Sequence, residues 1–307
     1  MIVSMGGQIA LLGVPTALGG HLAGMELAPA GIRELGLAAR LEARLDDVSI
    51  LDAGDLAIDP GFRPDDDRRA KNRDLIREFL PRERDLVAGA LADAGADARL
   101  LILGGDCTAH AGAMAGLRAA RPSARFAIAW FDAHGDFNSP DTTPSGNVWG
   151  MPFAMLCGRG DPDLVAACDG PTVSEEDAAL IGGQVLDETE SRMLAASRVA
   201  QFGAGMVQRP AGFAALATWA RVVASRVDAI YIAVDMDCLD SSGDWAVTMP
   251  EPDGLSLDGA VAAVEAIAAE APVIGFGATG ITLANGDAES TVEAIAALAA
   301  AAFSVGR

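Results

Sequence analysis

Trp130-Phe-Asp-Ala-His-Gly-Asp-Phe-Asn-Ser-Pro-Asp-Thr-Thr-Pro-Ser-Gly-Asn-Val-Trp-Gly-Met-Pro152 is the stretch from which the rest of the chain can be read. It continues a short apolar run, 126–131, that predicts a strand buried on both faces, as in a parallel sheet. From the carboxyl end of that run Asp132, His134 and Asp136 emerge in alternation. In an open α/β sheet the ligand crevice lies at the carboxyl ends of the strands. Carboxylate and imidazole at i, i+2 and i+4 there suit a metal such as Mn, Zn or Fe. A polar strand exit, with His134 capping a neighbouring group, is the plainer alternative.

A second apolar run, 229–234, ends in Asp235 and Asp237. Two strands that end in Asp-x-His-x-Asp and Asp-x-Asp bring five donors to one crevice, enough for two cations that share carboxylates. Buried carboxylates without cations would be costly, so the pair of motifs favours metal over a capped exit.

Outward from these two strands the pattern alternates strand and helix. Strands are predicted at 8–14, 48–51, 99–103, 178–182, 199–202 and 273–279. Helices are predicted at 29–44, 75–94, 108–118, 151–156, 187–196, 213–225, 257–269 and 290–303, and 59–72 reads as a solvated loop. The expectation is a three-layer α/β/α fold with a mainly parallel sheet, in a single domain over 1–307, with neither repeat nor linker. His21, in the loop 16–27, reads as a surface histidine, and His110 as a core or surface residue rather than a ligand. Asp187 and Glu190 sit where acids favour the start of a helix.

Composition narrows the class. With 43 acidic and 22 basic residues the formal net charge is −21, which argues against a nucleic-acid partner and suits a cation or a cationic ligand. No apolar run is long enough for a membrane span, and no Lys or Arg precedes Arg33 to mark a signal peptide. Four scattered cysteines without a Cys-x-x-Cys pair suit a reducing cytoplasm. Lys71 is the sole lysine and lies in a charged run, which disfavours Schiff-base chemistry.

Three motifs, in this order, resemble the ureohydrolase family of arginases and agmatinases: Gly104-Gly105-Asp106-Cys107, Asp132-Ala-His134-Gly-Asp136 and Asp235-Met-Asp237-Cys-Leu-Asp240. The likeness runs from Gly13-Val14-Pro15 to about residue 280. It implies an arginase-like fold, a trimer or hexamer, and two Mn2+ ions that activate water against an amidino carbon. Cys107, Asp132, Asp136 and Asp235 would hold one ion, and Asp132, His134, Asp235 and Asp237 the other. Catalysis would fall to Asp136 and His134, with Asp240 behind the ligands. The resemblance also assigns Asn138, Thr143 and Ser145 to a substrate α-carboxylate and Asp187 and Glu190 to its α-amino group. Neutral donors for a carboxylate and acids for an ammonium are sound chemistry for an amino acid.

Three positions depart from that family pattern. Cys107 stands in place of a histidine ligand, Trp149 in place of a proton-shuttling histidine, and Gly280 in place of a glutamate that pairs with the guanidinium. A thiolate is softer than imidazole, so Zn2+ or Fe2+ becomes an alternative to Mn2+. A divergent branch that hydrolyses Nω-hydroxy-L-arginine is similar in its cysteine and around residues 135–143. An N-hydroxyguanidine is less basic than a guanidine and tolerates the loss of both partners. The expectation is therefore a metal-dependent amidinohydrolase acting on an arginine-like amino acid, N-hydroxyarginine or a related guanidino or amidino compound. The alternative is a non-catalytic relative that binds an amino acid or a single metal.

Overall fold

The computed structural model describes residues 7–304. Its strands are β1 (Gln8–Val14), β2 (Ser49–Asp55), β3 (Arg99–Gly104), β4 (Phe126–Asp132), β5 (Ala178–Gly182), β6 (Ala200–Gly203), β7 (Ala229–Asp235) and β8 (Val273–Thr279). The helices are α1 (Ala28–Glu34), α2 (Leu37–Glu42), α3 (Arg73–Ala94), α4 (Ala109–Ala120), α5 (Pro152–Leu156), α6 (Pro162–Ala167), α7 (Glu188–Ala195), α8 (Ala204–Val207), α9 (Pro210–Ala224), α10 (Leu257–Ala268) and α11 (Ala288–Ser304).

All eight strands form one sheet in the order β2-β1-β3-β8-β7-β4-β5-β6, and every pairing is parallel. The six inner strands are apolar at nearly every position because both faces are covered, and the period of two splits their side chains between two cores. Ile9, Leu11, Leu101, Leu103, Ala127, Ala129 and Phe131 join the layer that carries α1, α2, α9, α10 and α11. Ala10, Leu12, Leu100, Ile102, Phe126, Ile128 and Trp130 join the layer that carries α3, α4, α5 and α6. The three-layer α/β/α expectation holds, with the sheet parallel throughout.

The helix expected over 29–44 is two helices, α1 and α2. Gly36 separates them at φ 77°, a left-handed conformation that breaks helical hydrogen bonding and suits a residue without Cβ. Periodicity runs through such a break because the apolar faces of both halves still meet the core.

The chain passes from β3 to β4 across two strands, and β7 and β8 later fill that gap. The carboxyl ends of four adjacent strands, β3, β8, β7 and β4, therefore deliver Cys107, Gly280, Asp235 and Asp132 to one crevice. This is the switch point at which open α/β sheets place their ligands.

Candidate metal centre and the cavity above it

Two donor groups stand at that crevice. A sulfur of Cys107 and carboxylate oxygens of Asp132 and Asp235 lie within 4.8 Å of one another, and so do carboxylate oxygens of Asp132 and Asp237 and a ring nitrogen of His134. Asp132 belongs to both. Each group is a set of potential metal ligands of the kind hard or borderline divalent ions take.

Strand geometry and short turns hold these side chains. Asp132 ends β4; its Oδ1 accepts from the His134 amide at 2.7 Å and its Oδ2 from Trp130 Nε1 at 2.9 Å. Asp235 ends β7; its Oδ1 accepts from the Asp237 amide at 3.0 Å. Asp237 Oδ1 accepts from the Ala133 amide at 3.1 Å, which ties the two strand ends together. Cys107 Sγ lies 2.8 Å from Asp235 Oδ2. His134 presents Nδ1 to the crevice, 3.1 Å from Asp237 Oδ2 and 3.4 Å from Asp132 Oδ1. Its Nε2 faces Glu251 Oε1 at 3.6 Å.

The electrostatics call for positive charge. Burial, and then the neighbouring carboxylates, push Asp136 and Asp235 well above the usual range, and burial with Asp132 lifts Asp237 to about 6. Burial and the charge of Asp235 likewise raise the Cys107 thiol. Desolvation opposes the charged form of His134, yet Asp132 and Asp237 overcome it and raise the imidazole. Asp136 sits at φ 46°, with Oδ2 buried and without a hydrogen-bond partner. An orphaned carboxylate oxygen beside two clustered donor sets fits cations, which would relieve both the repulsion and the unmet acceptor.

Above the donors lies a cavity of about 460 Å3. One wall carries the residues expected to read an amino acid. Asn138 Nδ2 donates to Asp187 Oδ2 at 3.0 Å and to Glu190 Oε1 at 3.3 Å, and the Phe137 amide donates to Glu190 Oε1 at 2.9 Å. Glu190 is buried, which together with Asp187 pushes it up to about 7 against the pull of that amide. Asp187 stands at the N-cap position of α7 but makes no side-chain cap bond there, so helix capping does not explain it. The hydroxyls of Thr143 and Ser145 lie 3.4 Å apart on the loop that follows.

The opposite wall carries Trp149 and His21, whose rings are 5.5 Å apart. His21 is exposed as expected, yet it also lines the cavity and meets Asn147 Nδ2 at 3.1 Å. His110 is a core residue, fully buried. Asp240 accepts from the Ser242 and Gly254 amides, shaping the loop behind the ligands. At Gly280, a Cβ would fall 2.1 Å from Asp235 Oδ1, so this backbone has no room for a side chain.

Sequence reasoning missed Glu251, Trp130 and Thr279. Trp130 was within reach, since it shares a strand face with Asp132 two residues on. Glu251 lies in an irregular loop where no periodicity points anywhere.

A parallel α/β sheet with two carboxylate-rich donor groups at its switch point is an arrangement that could hold metal ions. A profile of the arginase family matches residues 7–304, and the chain belongs to that family. It is 31% identical over 270 residues to the arginase of Bacillus caldovelox, covering 87% of each chain. The crystal structure of that arginase superimposes with a TM-score of 0.86 at 27% identity over 97% of this chain and 98% of the other. The Bacillus cereus arginase gives 0.85 at 26% identity over 96% and 98%. No helix of the described residues is long and apolar enough to cross a membrane.

Proposed function

We propose that the chain is a dinuclear metal hydrolase that cleaves an amidino C–N bond of an arginine-like amino acid, with N-hydroxyarginine or a related weakly basic amidino compound as substrate. One observation carries the reading. Two donor groups that share Asp132 floor a cavity whose lining includes Asn138, Thr143, Ser145, Asp187 and Glu190.

Cys107, Asp132, Asp136 and Asp235 would hold one cation and Asp132, His134, Asp235 and Asp237 the other, as two Mn2+ ions or, given the thiolate, Zn2+ or Fe2+. When bound, the pair supplies Lewis-acid polarisation and an ionised water at neutral pH. The protein does the rest. Asp187 and Glu190 take the substrate ammonium, with Asn138 holding their carboxylates in place. Thr143 and Ser145 donate to the α-carboxylate, so the side chain runs toward the donors. Asp136 Oδ2, free of other partners, accepts the proton of the attacking water and returns it to the departing nitrogen. The new C–O bond leaves a urea or hydroxyurea, and the broken C–N bond an ω-amino acid. His134 presents Nδ1 toward the donors, with Glu251 Oε1 3.6 Å from its Nε2. Trp149 excludes water from the cavity without serving as an acid.

Gly280 supports the weakly basic substrate. A guanidinium carries five donors and full charge, and leaving it without a carboxylate partner is costly in a buried site. The same reading proposes one domain, a cytoplasmic location and a homo-oligomer.

The test is metal analysis followed by a turnover screen of guanidino, N-hydroxyguanidino and formimino amino acids. Two metals per chain and urea or hydroxyurea release are expected. Ligand-induced stabilisation without turnover across the panel would replace this reading with that of a binding protein.

A further inference from the structure

Beneath the donors, on the side away from the cavity, lies a buried polar chain that the hydrolytic mechanism does not use. Tyr231 Oη is 3.0 Å from His110 Nδ1, His110 Nε2 is 3.1 Å from Thr279 Oγ1, and Thr279 Oγ1 is 3.3 Å from Cys107 Sγ. Tyr231, His110 and Thr279 are completely buried. The space exists because β8 carries Gly277 beside them, where a Cβ would fall 2.3 Å from Tyr231 Oη and 2.8 Å from His110 Nδ1.

The direction of this chain follows from counting hydrogens. Completely buried, with both ring nitrogens facing hydroxyls rather than carboxylates, the imidazole is neutral, with one N–H and one acceptor. His110 is the hydrogen-bond partner of the Tyr231 hydroxyl. If Tyr231 accepted from Nδ1, its own hydrogen would be stranded without a partner in a dry core, which is costly. Tyr231 therefore donates to Nδ1. The imidazole proton then lies on Nε2 and is donated to Thr279 Oγ1. With that oxygen engaged, the threonine hydrogen turns outward to Cys107 Sγ, the alternative being the Val234 carbonyl at 3.4 Å. As a ligand of a cation the sulfur would be a thiolate, and its charge would make it the better acceptor of the two.

We propose that Tyr231, His110 and Thr279 are positioning residues for Cys107, a one-way hydrogen-bond chain that delivers a donor to the sulfur and fixes its direction toward the cation. The inference rests on the reading of Cys107 as a ligand. A histidine ligand is oriented through its second ring nitrogen. Sulfur has no second atom to hold, so a donor must reach the ligand atom itself, and Thr279 Oγ1 does so from behind.

Co2+ is the probe, because a thiolate ligand gives cobalt a near-ultraviolet charge-transfer band that oxygen and nitrogen ligands do not. Metal-free protein is titrated with Co2+, following the band and the affinity, with folding checked by circular dichroism. Thr279→Val keeps the shape and removes the donor; it should weaken Co2+ binding about 10-fold, in the range seen when groups behind metal ligands are altered, and diminish the band. Tyr231→Phe, which removes one atom at the far end, should do the same to a smaller degree. Thr279→Ser, which restores the hydroxyl, should recover both. A band in the wild type that Thr279→Val and Tyr231→Phe leave unchanged in strength and affinity overturns the chain alone. Absence of the band in the wild type overturns the ligand reading of Cys107, and the chain with it.

Discussion

The cavity has two ends, and they differ in kind. At the amino-acid end, Asn138, Thr143, Ser145, Asp187 and Glu190 are all of the expected type, and Asn138 links both acids in one hydrogen-bonded set. At the reacting end, the carboxylates and His134 keep their places, while Cys107, Trp149 and Gly280 replace three polar partners. On the proposed reading, recognition of the substrate backbone and chemistry at the distal group are separable parts of one cavity, and the departures of this chain fall at the reacting end rather than at the amino-acid end.

The largest effect should come from the residue on which both metals depend. Asp132→Ala removes the carboxylate common to the two donor groups. Turnover should fall by more than the ~10²–10³-fold typical of losing one electrostatic donor, and metal analysis should find both ions lost. Two retained ions with near-normal rates would show that the reacting end is not dinuclear. Asp235→Ala should behave alike.

The other end should respond differently. Ser145→Ala and Asp187→Ala each remove a substrate hydrogen bond, worth ~0.5–3 kcal/mol with charged partners at the upper end, so KM should rise by up to about 100-fold. Metal content should not change. Decarboxylated analogues should lose as much; equal turnover of an amino acid and its amine would erase the contrast between the two ends.

Charge gives a third comparison. Glu190 binds a proton more tightly folded, at about 7, than at its ordinary 4.5. Its stabilising contribution is therefore complete below about 4.5 and is lost as pH rises through about 7. Metal-free protein should lose stability over that window, with a Glu190 share on the order of 3 kcal/mol at roughly 1.4 kcal/mol per pH unit. Glu190→Gln should remove that share, read from denaturant midpoints between pH 5 and 8. A variant with the wild-type slope would mean that the carboxyl is not strained by burial.

How much of this was legible in the sequence depends on the range of the signal. The strand ends were, because burial on both faces makes continuous apolar runs and their exits are marked by Asp132 and Asp235. The break at Gly36 was not, since helical periodicity tolerates one left-handed residue. The motifs carried the candidate donors, but Thr279 and Tyr231 come from other strands and only the order β3-β8-β7-β4 brings them beside His110 and Cys107. The blocked position at Gly280 was likewise visible only once Asp235 was in place.

The smallest effect tests whether the reacting end has changed its preference of metal. Cys107 is buried, with Sγ against Asp235 and Thr279, so its substitution acts on one donor group and leaves the amino-acid wall untouched. Thiolate favours softer ions than Mn2+, whereas neutral imidazole accepts Mn2+ more readily and adds no negative charge to a site already crowded with carboxylates. Cys107→His should therefore raise Mn2+ occupancy of that site by about 10-fold in affinity, the lower end of the range for changes around a metal. Cys107→Ser should lower it, because the hydroxyl stays protonated and is a poor donor. Both are read by Mn2+ titration of metal-free protein against Zn2+ as competitor. If both variants bind Mn2+ as the wild type does, the sulfur is a buried space-filler, and the reacting end differs from the amino-acid end only through Trp149 and Gly280.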